Sequence, residues 1–242
     1  MVDNIKLTLL NNPMARIGYS KEQQAAKRQD VLDAAMHVFE TGGGLEAVSF
    51  RSVAAHLGCS YSAPYRYFSG KDELIVAMRA RAYRWMETVL RESINPADDA
   101  PTQLTAVAQA YIQAGLARPT LYALMYFELE GSDLGERSVE LKAAKRDALG
   151  VCAGVIAAGQ ARGQLPNQTD ALTAAHVFWI GAHGLVSLQV GGQLVMGRTL
   201  QQLTPILIHW LGAGLAQSDR LDDDPPQSMS PPRADSKTEK GA

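Results

Sequence analysis

The stretch "SVAAHLGCSYSAPYRYFSGKDELI", residues 52–75, holds two short helix-forming pieces joined at "HLGCS". The first piece has Ser49 before it as an N-cap and sets Val53, Ala54 and Leu57 inward. Gly58 stops it, because glycine takes the left-handed conformation that ends helices. Ser60 is placed to cap the second piece. That piece crowds Tyr65, Tyr67 and Phe68 around Arg66, with Pro64 just before and Lys71 just after. A core helix would show apolar residues at i, i+3, i+4 and i+7. Hydroxyls, aromatic edges and positive charge stand there instead.

Two short helices around a turn glycine match a helix-turn-helix, whose second helix enters the DNA major groove by its N-terminal end. Ser60, Tyr61, Ser62 and Ala63 occupy that end and are short or polar enough to approach base edges. The hydroxyls of Tyr65 and Tyr67 suit phosphate contact. Lys71 begins the following helix, where its charge adds to free backbone N–H groups. With Ser49 and Arg51 these residues form the candidate DNA-binding set. Phe68 and part of Tyr65 are read as packing anchors.

Helix-period segments surround this stretch. A helix over 21–40 buries Val31, Leu32, Ala35, Val38 and Phe39 and stops at "TGGG", residues 41–44. A long helix over 71–91 carries Leu74, Ile75, Met78, Ala82 and Trp85 on one face. "INPADDAP", residues 94–101, breaks the chain. Further helices are expected over 102–117, 119–130, 136–161, 169–190 and 199–216. Alternating β-branched runs do not occur, so the fold class is all-α. The chain divides into an N-terminal arm (1–20), a three-helix DNA-binding unit (21–70), a connecting helix (71–94) and a helical ligand-sensing and dimerisation unit (95–217). The polar, proline-rich remainder, 218–242, is expected to be disordered.

The 242 residues are 46% hydrophobic and 20% charged, with a formal net charge of -2. A globular chain is expected, not one coated with nucleic acid, though a local basic face is compatible. The two cysteines, Cys59 and Cys152, form no pair at metal or disulfide spacing, so neither zinc nor a disulfide framework is expected and a reducing, cytoplasmic setting fits. The N-terminus lacks a cleavage-like site and no uninterrupted apolar run approaches about 20 residues, so no signal peptide or membrane partner is expected. No cofactor is called for.

Residues 28–74 resemble the TetR-family DNA-binding domain. The matching features are Ala54 and Ala55, the turn at Gly58, Pro64 before Tyr65-Arg66-Tyr67-Phe68, and Lys71 three residues after the phenylalanine. Cys59 stands where that family usually has valine, which implies a small buried hydrophobe. Two further runs, "ARPTLYALMYFE" (117–128) and "FWIGAHGLVSLQVGG" (178–192), are similar to the subgroup whose C-terminal domain is marked by Trp, His and Gly. Here those are Trp179, His183 and Gly184. The resemblance implies a homodimeric repressor with an all-α sensor and transfers no ligand.

In the sensor half, Tyr111, Tyr122, Met125, Tyr126, Trp179 and His183 are the candidate ligand-binding residues, with Leu121 and Phe127 in the same apolar set. Trp179 and His183 share a helix face. They suit a mostly apolar pocket with a few orienting polar groups. Leu185, Leu188, Ile206, Leu207, Trp210 and Leu211 exceed what one small domain can bury, so a second copy of the chain is expected to cover them. His176 and His183 have no carboxylate or cysteine at metal spacing.

Three functions compete on these residues. A ligand-responsive repressor of a double-stranded DNA operator fits best. A helix-turn-helix protein whose sensor half binds another protein is the alternative. An α-helical enzyme is disfavoured, because no nucleophile–base pair, metal cluster or glycine-rich phosphate loop appears, and only isolated groups such as Glu128, Glu130 and His183 remain.

Overall fold

The computed structural model describes residues 20–126 and 134–216, and every regular element among them is helical. The expected arm (1–20), apart from Ser20, and the expected tail (218–242), with Phe127, Glu128 and Glu130, lie outside the described residues.

Helix α1 (Lys21–Thr41) starts at Ser20, which forms a reciprocal capping box with Gln23. A one-turn 3-10 segment (Leu45–Ala47) leads to α2 (Phe50–Leu57). Ser49 caps α2 by accepting from the Ser52 N–H, as its position predicts. Gly58 ends α2 at φ 63°, a left-handed conformation that a side chain at this position would strain.

The next segment departs from the expected second helix. Residues 61–63 form a turn, and Pro64–Arg66 is a single 3-10 turn. Pro64 has no N–H to give to a preceding α-helical turn, so the chain tightens around it and closes with the Tyr67 N–H on the Pro64 carbonyl. Phe68 is 1% exposed and anchors this piece among Leu32, Phe39, Val48, Val53 and Leu74, with the Arg28 guanidinium 4.5 Å above its ring. Cys59 also departs from expectation. It sits exposed on the turn that Gly58 creates, not in the core.

Helix α3 (Lys71–Glu92) belongs to both units. Its 22 residues rise about 33 Å. It packs on α1 at its start and then forms the spine of the sensor. That sensor contains α4 (Ala100–Ala117), α5 (Pro119–Tyr126), the short α6 (Leu134–Arg137), α7 (Val139–Ala161), α8 (Ala171–Val190) and α9 (Leu200–Ala216). The helix expected over 136–161 is broken at Ser138, whose side chain accepts from the Leu141 N–H and so starts α7 afresh. By length and composition alone α8 could cross a membrane. Here it packs against α4, α7 and α9.

Candidate functional site

The residues predicted to bind DNA gather around the start of α2. The Tyr61 and Tyr65 hydroxyls are 2.8 Å apart, and the Tyr65 ring meets Phe50, the first residue of α2, edge-on at 4.2 Å. Phe50 lies between Ser49 and Arg51, so the turn after Gly58 is fixed beside the α2 N-terminus. Tyr61 is 56% exposed and Tyr65 47%, so each keeps a large aromatic surface open to solvent. Ser60, Ser62, Arg51 and Lys71 are exposed as well, while Ala63 and Tyr67 are half-buried. The Lys71 ammonium donates to the Leu45 carbonyl at 3.3 Å, which holds it next to the turn preceding α2. Gly70, the N-cap of α3, places no side chain over the first amide groups. Two helix N-termini and a lysine therefore flank the Tyr61–Tyr65 turn, an arrangement of N–H groups and positive charge that suits phosphate, opposed in the first turn of α3 by Asp72 and Glu73. The Tyr61 hydrogen bond raises the Tyr65 pKa, so that phenol remains a neutral donor.

The second site lies within the sensor. A cavity of about 510 Å³ opens among α3, α4, α5, α7 and α8. Of the six predicted ligand contacts, Tyr111, Met125, Tyr126 and Trp179 line it. Tyr122 and His183 stand one layer behind. The Tyr122 hydroxyl and His183 Nδ1 are 2.5 Å apart, and His183 Nε2 faces Ser187 Oγ at 3.3 Å. Tyr111 is the hub, 2.6 Å from the Tyr126 hydroxyl and 3.3 Å from that of Tyr122. Trp179 Nε1 donates to the Tyr126 oxygen at 3.3 Å. Each hydroxyl can donate to the next, giving one directed run from Trp179 through Tyr126, Tyr111 and Tyr122 to His183 and Ser187. Run in that direction, neutral His183 carries its proton on Nε2.

Burial explains the ionisation of the group. It pushes the Tyr126 hydroxyl up to about 12, raises Tyr83, Tyr111 and Tyr122, and lowers His183. Phenols and imidazole are thus all neutral at physiological pH. Close packing helps to hold the run. A Cβ on Gly115 would lie 2.7 Å from Val186 Cγ1 and 2.9 Å from the Tyr122 ring, so only glycine allows α4, α5 and α8 to approach this closely.

Sequence reasoning missed the α3 wall of the cavity, formed by Arg79, Tyr83, Met86 and Leu90. The usable signal was their i, i+4, i+7, i+11 spacing. It also missed Lys145, Cys152 and Phe178. Burial raises the Cys152 thiol to about 12, so it is an inert lining group. Among the described residues no cluster of His, Cys, Asp or Glu could hold a metal ion.

The six predicted interface residues divide three ways. Leu188, Ile206 and Trp210 are exposed, at 46%, 45% and 69%, and Val177 and Ile180 join them. Leu207 and Leu211 are half-buried between α8 and α9, where both close on Gly181. Leu185 is a correction. It points into the protomer's own core and is 7% exposed, because this face of α8 is already covered within the protomer.

Residues 31–78 match the family model described as bacterial regulatory proteins, tetR family, and residues 104–210 match a tetracyclin repressor-like C-terminal domain. The chain is 27% identical over 176 residues to the HTH-type transcriptional regulator Rv1816 of Mycobacterium tuberculosis, covering 62% of this chain and 75% of that protein. The crystal structure of the regulatory protein SCO4313 superposes with a TM-score of 0.59 at 26% identity, over 80% of this chain and 98% of the other. FadR from Bacillus subtilis, solved in complex with stearoyl-CoA, shares the fold with a TM-score of 0.59 at 17% identity, over 77% and 98%. The exposed turn falls in the first matched segment and the cavity lining from α4, α5, α7 and α8 in the second, with the α3 wall between them, and the chain belongs to the TetR family as a DNA-binding transcriptional regulator.

Proposed function

We propose that this regulator is a homodimeric repressor, released from a near-palindromic operator by a small, mostly apolar effector. The carrying observation is the cavity of about 510 Å³ in the sensor, because one wall of it is α3, the helix that leaves the DNA-binding unit. Its volume is that of a small-molecule site. Lined by Tyr111, Met125, Tyr126 and Trp179, with the Tyr122–His183 pair behind, it offers apolar surface and a few orienting hydroxyls. The stacked Trp179 and His183 rings, 5.5 Å apart, and the neighbouring Gly184 support placing the sensor in the Trp-His-Gly subgroup.

Dimerisation is supported by the exposed apolar face of Val177, Ile180, Leu188, Ile206 and Trp210 on α8 and α9. Paired through this face, two copies would present two reading turns to half-sites about 34–36 Å apart, or a multiple of that. A chromosomal operator puts the regulator in the cytoplasm. The reading is of a binding protein and not of an enzyme.

An effector releases DNA only by binding the released form more tightly, and operator DNA then weakens effector binding by the same factor. The test is a gel-shift with DNA flanking the protein's own gene, repeated with fractions of a cell extract. A specific shift that a small-molecule fraction abolishes supports the reading. A protein that shifts no flanking fragment more strongly than random DNA contradicts it.

A further inference from the structure

The hydrogen-bond run beside the cavity can be drawn in two directions, and counting protons separates them. Trp179 Nε1 carries a proton and cannot accept, so at 3.3 Å from the Tyr126 oxygen it only donates. The tyrosine and serine hydroxyls each donate or accept, and neutral His183 donates from whichever ring nitrogen holds its proton. Toward Ser187, every phenol proton is spent on the next member: Tyr126 on Tyr111, Tyr111 on Tyr122, and Tyr122 on His183 Nδ1. In the opposite direction Ser187 donates to His183 Nε2, Nδ1 to Tyr122, Tyr122 to Tyr111, and Tyr111 to Tyr126. The Tyr126 proton is then left over. Trp179 offers it no acceptor, Tyr111 is its own donor, and the Tyr122 oxygen at 2.5 Å takes the His183 proton.

Tyr126 is also the member of the run most open to the cavity. It is half-buried and lines the space of about 510 Å³. Tyr111 is 7% exposed, and Tyr122 and His183 do not line it. Much of the lining is apolar, with Met86, Val107, Met125 and Phe178 among it. A phenol proton left unpaired against such a wall is costly. An acceptor in the cavity removes that cost, and so completes the reversed run. The Tyr126 ring packs 5.0 Å from Tyr122 and 4.2 Å from His183, and reversal asks only for hydroxyl rotation, with every ring in place.

We propose that the run is a reversible relay: a ligand with an uncharged carbonyl oxygen takes the Tyr126 proton, the run turns round as far as His183, and His183 exchanges its Nε2–H for an Nδ1–H. This rests on reading the cavity as the effector site, and it names the effector class as apolar molecules carrying a ketone-like oxygen. Each hydroxyl keeps its own proton and rotates. His183 gives one proton to water from Nε2 and takes one from water at Nδ1, so its charge is unchanged. The ligand's oxygen is thereby registered at a residue that does not line the cavity.

The experiment uses the full chain with 15N-labelled histidine, and two probes, 2-acetylnaphthalene and 2-isopropenylnaphthalene. The second has the shape of the first with CH2 in place of the oxygen. Titration calorimetry should show the ketone binding about fivefold more tightly, the worth of one net hydrogen bond. Tyr126→Phe should bring the two affinities together. Long-range 1H–15N spectra read the tautomer, with the His183 signals assigned from a His183→Gln protein. The free protein and the hydrocarbon complex should show Nε2–H, and the ketone complex Nδ1–H. Should Tyr126→Phe fail to fold, this comparison in the wild-type protein still decides. Equal affinities, a ketone that does not bind, a ketone preference that survives in folded Tyr126→Phe, or the same His183 tautomer with and without ketone overturns the proposal. Operator affinity is measured alongside. A tautomer change that leaves operator affinity unchanged keeps the relay and removes the effector reading. Operator release by the ketone with an unchanged tautomer keeps the effector reading and removes the relay.

Discussion

The phenol run can be tested by removing single oxygen atoms. Tyr111→Phe keeps the ring, which packs edge-on against Tyr122 at 6.1 Å, and deletes only the hub hydroxyl. The close bond lost is the 2.6 Å contact to Tyr126; the 3.3 Å contact to Tyr122 goes too, but Tyr122 retains His183 at 2.5 Å. Tyr126 still accepts from Trp179, and its hydroxyl borders a cavity of about 510 Å³, wide enough for a water to take the vacated place. The cost should therefore be that of one net hydrogen bond, about 1 kcal/mol. Tyr122→Phe differs. It takes the close donor from the His183 Nδ1, leaving Tyr111 at 3.4 Å as a poor substitute, and Tyr122 itself is 2% exposed. A buried acceptor left without a partner costs up to about 3 kcal/mol, so Tyr122→Phe should destabilise by about 2 kcal/mol. Urea unfolding at one fixed protein concentration reads both values, because a dimer's stability depends on concentration. The slope of free energy against urea should stay constant. If Tyr111→Phe costs as much as Tyr122→Phe, or either variant gains stability, the directed run from Trp179 to Ser187 is wrong.

Three further outcomes follow from the same geometry. Burial lowers the His183 pKa below 6.5, so between the ordinary and the lowered value the unfolded chain binds a proton that the folded chain refuses. Stability from this group is complete above the ordinary value and is lost as pH falls through that window. Replacing His183 by Gln should flatten this part of the stability–pH curve relative to wild type, and an unchanged curve would show that folding does not shift the His183 pKa. Lys71→Ala should weaken binding alike on all operators and lower the salt slope by about 1, whereas Tyr61→Phe and Ser62→Ala should alter base preference. An unchanged slope rules out the Lys71 phosphate contact, and a uniform loss across single-base operator variants rules out reading by Tyr61 and Ser62. Trp210→Glu should give folded monomers by analytical ultracentrifugation, because Trp210 is 69% exposed in the protomer and the charge harms only the paired state. A dimeric Trp210→Glu protein would move the interface elsewhere.

The parts of the fold legible in the sequence were those written in local chemistry. Ser49 and Gly58 fix the ends of α2 through one side chain and one backbone conformation, and both act as their residue types predict. The reading segment was less legible. Its turn glycine and aromatics located it, but the tightening at Pro64 into a 3-10 turn follows from packing Phe68 as well as from the missing N–H. Ser138 was hidden because the helical period continues on both sides of it, and a single cap residue does not change that period. On α3, Leu74, Met78 and Met86 are all almost fully buried, so choosing one inward face could not separate the core from the cavity wall. The candidate site suffered most from what spacing cannot carry. Tyr122 and His183 are 61 positions apart, and which of two aromatic layers touches the cavity is set by tertiary packing alone. Arg79 and Lys145 look like ordinary surface charges until α3 and α7 are seen side by side.

The junction between the two halves is built from terms small enough to exchange. Asp33 of α1 pairs with Arg81 of α3, and Glu40 of α1 pairs with Arg118 between α4 and α5. Glu140 of α7 accepts from Arg84 at 3.0 Å and lies 3.6 Å from Arg28. These side chains are about a third to a half exposed, so each pair contributes about 0.2–1 kcal/mol. The core of α3 cannot yield so cheaply, since emptying a single buried Leu or Met position costs about 2–5 kcal/mol. A ligand among Tyr83, Tyr126 and Trp179 therefore meets two kinds of resistance: a stiff spine, and a set of weak ionic contacts holding α1 against the sensor. Arg118 sits between Tyr111 and Tyr122 in the chain, so in the proposed effector reading displacement of the phenols would bear on its contact with Glu40 and on its guanidinium over Trp85, 5.0 Å away. Typical allosteric coupling amounts to about 1–3 kcal/mol. Two or three such pairs, lost or remade in the proposed release from DNA, would cover that range without any change in either core.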